Sequence, residues 1–194
     1  MNIDAFSTHQ PLLLAVIAAT DGDILELGAG WYSTPLLSVL ANAGNRRAYT
    51  LETNEHVFKT LKPLEIGNHS IELVPGFDFS ENGVFNLKGL DSQVYSEMQK
   101  HALSEFWSKF IRRHDKLSVV FVDQAPWFLR SSSVRFFADK AEYIVIHDSE
   151  AIALYALEPT ISSFVSRWEY RIHEPYTMVL SNKNDCSRFS FLMP

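Results

Sequence analysis

The chain has 194 residues, 46% of them hydrophobic, and a net charge of −6; that is enough apolar material for one sizeable core, with no linker-like stretch to divide it. The acidic balance argues against a broad phosphate-binding face, so nucleic acid is disfavoured as a partner, and the local basic cluster Arg112-Arg113-His114-Asp115-Lys116 reads as a solvated helix end. Cys186 is the single cysteine and lies in the polar stretch Asn182–Ser187, which excludes an internal disulfide and a cysteine-built metal cage and argues against a thiol nucleophile.

Hydrophobic runs such as Pro11–Ala19 and Leu117–Val122 fall short of the roughly 20 residues that a bilayer span needs. The first residues carry no basic segment leading to a cleavage site, so a soluble, cytoplasmic protein without a membrane partner is expected.

Ser7 or Thr8 is placed to cap a helix over Gln10–Ala19, whose near-continuous apolar face suits packing against a sheet. Ile24, Leu25 and Leu27 then read as a buried parallel strand running into Gly28-Ala29-Gly30, with Ser33 or Thr34 capping a helix from Pro35 to about Ala43. Two glycines let the backbone turn sharply beside a ligand, and open α/β sheets bind ligands there, beyond the strand's carboxyl end. A second strand, Arg47–Leu51, ends at Glu52; a carboxylate about 20 residues past a glycine turn is placed to grip two ribose hydroxyls.

A helix over Glu55–Leu61 stops near Pro63, and a third strand, Ser70–Val74, ends at Pro75-Gly76. Phe77-Asp78-Phe79 follows, and a helix over Ser92–Arg113 provides the crossover to a fourth strand, Leu117–Val122, which ends at Asp123. The fifth strand, Glu142–Ile146, ends at His147-Asp148; its continuous β-branched character indicates burial on both faces. A helical region from Ser149 to about Arg167, interrupted at Pro159, leads to Trp168–Ile172 and Thr177–Leu180, whose short connection requires an antiparallel pair.

Two kinds of ligand suit the glycine turn. Dinucleotide sites carry a third glycine, G-x-G-x-x-G, where this chain has Ser33. Glu26 would repel a pyrophosphate and suits a ligand bearing an ammonium group. Glu26-Leu27-Gly28-Ala29-Gly30 resembles the first motif of class I S-adenosylmethionine-dependent methyltransferases, and Glu52 matches the acid that ends their second strand. The resemblance implies an α/β Rossmann-like fold: a mostly parallel seven-stranded sheet with a C-terminal antiparallel pair and helices on both faces, in a single domain over 1–194. It further implies S-adenosylmethionine as cofactor and methyl transfer to a small-molecule acceptor, with a hydroxyl oxygen as the expected target. Under it Gly28, Ala29, Gly30 and Ser33 flank the methionine part, Glu26 orients its amino group, Glu52 holds the ribose, and Asp78 lies near the adenine amino group.

A parallel sheet brings Asp123 and Asp148 to the rim that carries the glycine turn. With His147 they allow general acid–base work by the histidine or an aspartate, or coordination of a hard divalent cation by the two carboxylates. Helix capping by Asp148 or Ser149, loop-amide binding by Asp123 and packing by His147 are the structural alternatives. Some small-molecule O-methyltransferases are similar at these positions, where strand-end acids hold magnesium (Mg2+) against a substrate hydroxyl. Their further Asp or Asn after the second acid is Ser149 here, and the lysine after the first is missing from Gln124-Ala125-Pro126. His9 is expected at the surface, without a role. The rival readings are an NAD(P)-dependent oxidoreductase and a non-catalytic protein that keeps the nucleotide pocket.

Overall fold

The computed structural model describes residues 4–74, 104–114, 116–125 and 127–193. Its strands are β1 (Asp23–Leu27), β2 (Ala48–Glu52), β3 (His69–Leu73), β4 (Leu117–Val122), β5 (Ala141–His147), β6 (Ser166–Tyr170) and β7 (Thr177–Ser181). All join one seven-stranded sheet in the order β3-β2-β1-β4-β5-β7-β6. The first five run parallel, and β7 lies antiparallel to both β5 and β6. The order reverses between β1 and β4, the switch point at which open sheets leave a crevice.

The helices are α1 (Gln10–Ala18), α2 (Thr34–Ala43), α3 (Glu55–Leu61), α4 (the described stretch 104–111), α5 (Arg130–Phe137) and α6 (Glu158–Ile161). β1 and β4 are buried along their whole length because helices cover both faces. On one face Leu12, Leu13, Leu37 and Ala41 of α1 and α2 pack on Ile24, Val119, Phe121 and Val145. On the other, Trp107, Phe110, Val134 and Ile161 pack on Leu25, Leu27, Val120 and Ile144. Each fully buried leucine contributes about 2 kcal/mol.

The period of two along a strand decides what the rim receives. Glu26 shares Ile24's face, Asp123 continues that of Val119 and Phe121, and His147 follows Val145. Acid and imidazole groups are therefore delivered to the α1–α2 side.

Several expected helix ends differ. His9, not Ser7 or Thr8, occupies the cap position of α1, with helical torsions and no side-chain capping bond; the Thr8 hydroxyl donates instead to the Pro175 carbonyl at 2.6 Å. Ser33 gives α2 no capping bond either, and the Thr34 hydroxyl accepts from the Gly30 amide at 3.0 Å. The helical region expected over Ser149–Arg167 is a single 3-10 turn, Ser149–Ala151, followed by α6. Ala156 takes the left-handed conformation (φ 49°), which ends the first turn, and Pro159 sits at the start of α6, where its missing N–H costs nothing. Cys186 and Phe189, on the 3-10 stretch Cys186–Leu192, fill the core beside α1, and burial pushes the Cys186 thiol up to about 11. Phe77-Asp78-Phe79 and the first part of the helix expected over Ser92–Arg113 lie outside the described residues. Among the described residues no helix is long and apolar enough to cross a membrane.

Candidate active site at the carboxyl edge of the sheet

Gly28 has φ +91°, and a Cβ there would stand 2.6 Å from Gln124 Cα and 2.7 Å from the Asp123 carbonyl oxygen. Only glycine lets the end of β1 press so closely on the end of β4. The next residue is held by Glu52, which accepts hydrogen bonds from the amides of Ala29 (2.8 Å), Thr53 (2.6 Å) and Asn54 (2.6 Å). Burial raises the Glu52 pKa against those three amides. Three donors leave one of the carboxylate's four lone-pair positions for a ligand hydroxyl, so the residue fits a ribose contact while also fastening the turn.

Glu26 has a different place from the one expected. Its side chain is completely buried, where Oε2 accepts from the hydroxyls of Thr34 (2.8 Å) and Thr50 (2.6 Å), tying α2 to β2 beneath the turn. Oε1 meets no partner in good hydrogen-bond geometry, although the Ser33 hydroxyl is close enough to favour the charged form. Burial pushes the pKa up to about 7, opposed by the hydroxyl hydrogen bonds. An in-strand residue on Ile24's face points at α2, not out of the carboxyl edge, and this is why Glu26 does not line the cavity described below.

Asp123, Asp148, His147 and Arg130 form one cluster at the ends of β4 and β5. Arg130, on the first turn of α5, donates from Nη2 to Asp123 Oδ1 at 2.8 Å and from Nη1 to Asp148 Oδ2 at 3.0 Å. It also donates to the carbonyls of Gln124 and His147, and its guanidinium lies 4.5 Å from the centre of the Tyr155 ring. His147 Nδ1 faces Asp123 Oδ2 at 3.2 Å and Asp148 Oδ1 at 3.5 Å. Its Nε2 lies 3.1 Å from the Thr8 hydroxyl.

That hydroxyl has one proton, and the Pro175 carbonyl at 2.6 Å takes it. Nε2 must then carry a hydrogen and donate to Thr8, and Nδ1, facing two carboxylates, needs a positive charge between itself and them. Burial pulls the His147 pKa down, but the hydrogen bond and charge of Asp123 and the charge of Asp148 outweigh it and hold the pKa above the ordinary imidazole value. Asp123 is held low in turn: burial raises its pKa, and His147 and Arg130 more than reverse that.

A guanidinium bridging Asp123 and Asp148 fills the position that a hard cation between these two carboxylates would occupy. The pair therefore does not fit Mg2+ in the expected manner, and the cation that sequence reasoning missed after the fourth strand is Arg130.

A cavity of about 480 Å³ opens beside the cluster, with Asp123, Asp148 and His147 at its floor, Gly30 and Ser33 on one wall and Phe6 and His9 on another. The volume is that of a small-molecule site. Across the turn, the gap bounded by Gly28, Thr53, Val74, Trp107 and Gln124 measures only about 10 Å³, and the Thr53 hydroxyl donates to the Ala125 carbonyl at 2.9 Å.

Three solved structures are similar to this chain. Cofactor-bound Rv0187 from MTB is 15% identical, with a TM-score of 0.57 over 95% of this chain and 83% of that one. The O-methyltransferase from Bacillus cereus in complex with SAH is 14% identical, with a TM-score of 0.55 over 93% and 82%. The fibrillarin pre-rRNA processing protein of Methanococcus jannaschii is 16% identical, with a TM-score of 0.50 over 92% and 78%. This chain has the class I methyltransferase fold. No protein-family model matches the sequence, and no curated protein does.

Within the methyltransferase fold, the residues read from the sequence divide into three groups. Ala29, Gly30, Ser33, Asp123, His147 and Asp148 meet at the cavity; Glu26, Gly28 and Glu52 build the turn behind it; Asp78 lies outside the described residues. Asp148 gives no capping bond and takes a left-handed backbone (φ 56°), a conformation that Asp tolerates better than most residues. Residues missed from the sequence are Arg130, Thr8 and His9. His9, expected at the surface, is only 2% exposed, with its ring centre 4.8 Å from that of His147 and 4.9 Å from that of Phe121. Its position just before a largely apolar helix does not by itself indicate a role.

Proposed function

We propose that the protein is an S-adenosylmethionine-dependent methyltransferase that modifies an oxygen of a small-molecule acceptor. The observation that carries this reading is the cavity of about 480 Å³ at the carboxyl edge, walled by the glycine turn and floored by strand-end carboxylates, in a fold otherwise similar to methyltransferases. A cavity of this size and the net charge of −6 favour a small acceptor over a polyanion.

In this reading the Gly28–Gly30 backbone and Ser33 lie beside the methionine part, and the remaining lone pair of Glu52 accepts from a ribose hydroxyl. Asp78 is assigned to the adenine by resemblance alone. Glu26 supports the turn from below and does not touch the amino group. S-adenosylmethionine supplies a methyl already activated on a sulfonium, so the chain's own residues have to align the acceptor in line with it, exclude water and receive one proton. Asp148 is the best-placed acceptor of that proton: its Oδ1 has only the long 3.5 Å contact to His147, and about a quarter of its side chain is exposed. Both nitrogens of His147 are committed to neighbours, which makes it and Asp123 positioning residues for Asp148.

Calorimetric titration with S-adenosylhomocysteine, with NAD in parallel and Glu52→Ala as the variant, tests the cofactor. Binding of the first ligand near about 1 μM, lost in the variant, is the expected result. Binding of NAD alone moves the protein to the oxidoreductases, and binding of neither refutes a nucleotide site. A screen of hydroxyl compounds for methyl transfer then tests the acceptor, and cofactor binding without turnover on any of them supports the non-catalytic reading.

A further inference from the structure

Two features of the cavity are not accounted for by the positioning roles given above. The first is His9: its ring is buried and lines the cavity, yet neither ring nitrogen has a hydrogen-bond partner. A buried polar group without a partner is destabilising, so such a group calls for an explanation. The second is the geometry at His147, whose Nδ1 lone pair faces carboxylate oxygens of Asp123 and Asp148 and demands a cation between them. A proton satisfies His147 but leaves His9 unused. A metal ion satisfies both.

We propose that His9, Asp123 and His147 form a binding site for one divalent transition-metal ion of the zinc, cobalt or iron(II) class, open to the cavity. One donor atom from each of these residues lies within 4.8 Å of the others. Donors around such an ion at about 2.1 Å stand roughly 3–3.5 Å apart. His147 Nδ1 and Asp123 Oδ2 are already 3.2 Å apart, so closure falls mainly to the His9 ring, which no hydrogen bond holds in place.

The surroundings match what such ligands need. A metal-bound imidazole donates its other N–H to a fixed acceptor, and Thr8, its own proton committed to Pro175, is that acceptor for His147 Nε2. Arg130 holds Asp123 through Oδ1 and leaves Oδ2 directed at His147. Two imidazoles and one carboxylate suit zinc, cobalt or iron(II) better than magnesium or calcium. Three protein ligands leave a coordination position open, the arrangement of catalytic metal sites. On the methyl-transfer reading, an acceptor oxygen bound at that position would give up its proton to Asp148 more readily; metal binding itself does not depend on that reading.

The test is calorimetric titration of chelator-treated, full-length protein with Zn2+, followed by the visible spectrum of the Co2+-loaded protein. One Zn2+ per chain and the intense Co2+ bands of low coordination number are expected. Affinity should fall at least tenfold in His9→Ala and in Asp123→Asn and stay unchanged in His56→Ala, at an exposed histidine. Absence of stoichiometric binding by the wild type overturns the proposal without any variant, and so does wild-type affinity in a folded His9→Ala. The S-adenosylhomocysteine titration is read separately, so either conclusion can fail alone.

Discussion

Replacing Arg130 by Met removes a cation from between two carboxylates while keeping most of the side-chain volume. Arg130 is 6% exposed and makes four hydrogen bonds, to Gln124, His147, Asp148 and Asp123. Deleting one partner of a buried ion pair costs about 3–5 kcal/mol, because the remaining charge is left uncompensated. Asp123 and Asp148 keep about a quarter of their side chains exposed, so water recovers part of this. We therefore expect about 3 kcal/mol, a large share of the roughly 5–15 kcal/mol that holds a domain folded.

The pH dependence has a definite sign. The native Asp123 pKa lies below its ordinary value, so its contribution is present above the unfolded-state pKa and is lost as pH falls through the folded one. Arg130 is among the groups that produce that depression, and the deficit of the variant must shrink on acidification. Urea denaturation of both proteins at about pH 7 and at about pH 3, below the ordinary aspartate value, measures this. A loss under about 1 kcal/mol at neutral pH, or a deficit that widens in acid, would refute the bridging role.

Glu26→Gln should remove a pH dependence rather than create one. The folded pKa of about 7 exceeds the ordinary glutamate value of 4.5, so the folded state binds the extra proton between them and stability falls as pH rises through that window, by about 3 kcal/mol; equal slopes for wild type and variant in urea titrations across it would contradict this. Gly28→Ala forces a Cβ into backbone at 2.6 Å with φ +91° and should cost about 3 kcal/mol, a fall of roughly 10 °C in melting temperature. Cys186, fully buried with its thiol pKa pushed to about 11, should react with a maleimide only after unfolding, and prompt labelling of the native protein would show that the core around it is wrong.

The sheet was legible because strands such as β4 and β5 are nearly continuous apolar runs that stop at charged residues. Glu52, Asp123 and Asp148 were found as strand-end acids for the same reason. The place of Glu26 beneath the turn was legible from periodicity as well as from the motif: counting by two from Ile24 puts it under α2, where Thr34 and Thr50 bind it. Arg130 was overlooked because its relation to Asp123 depends on the turn into α5 and not on proximity in sequence. His9 and Thr8 were invisible for a more general reason, since their partners lie near the other end of the chain and no local pattern records them.

That last fact bears on how the molecule is made. Thr8 bonds to Pro175 across a sequence separation of 167 and to His147 across 139, so this side of the cavity waits for chain made much later before it closes. The glycine turn and the parallel core are encoded upstream and can assemble while the ribosome still holds the C-terminal strands. A nascent chain could thus be substantially folded and still lack a working floor, its activity appearing only when β7 joins the sheet and draws the two ends together.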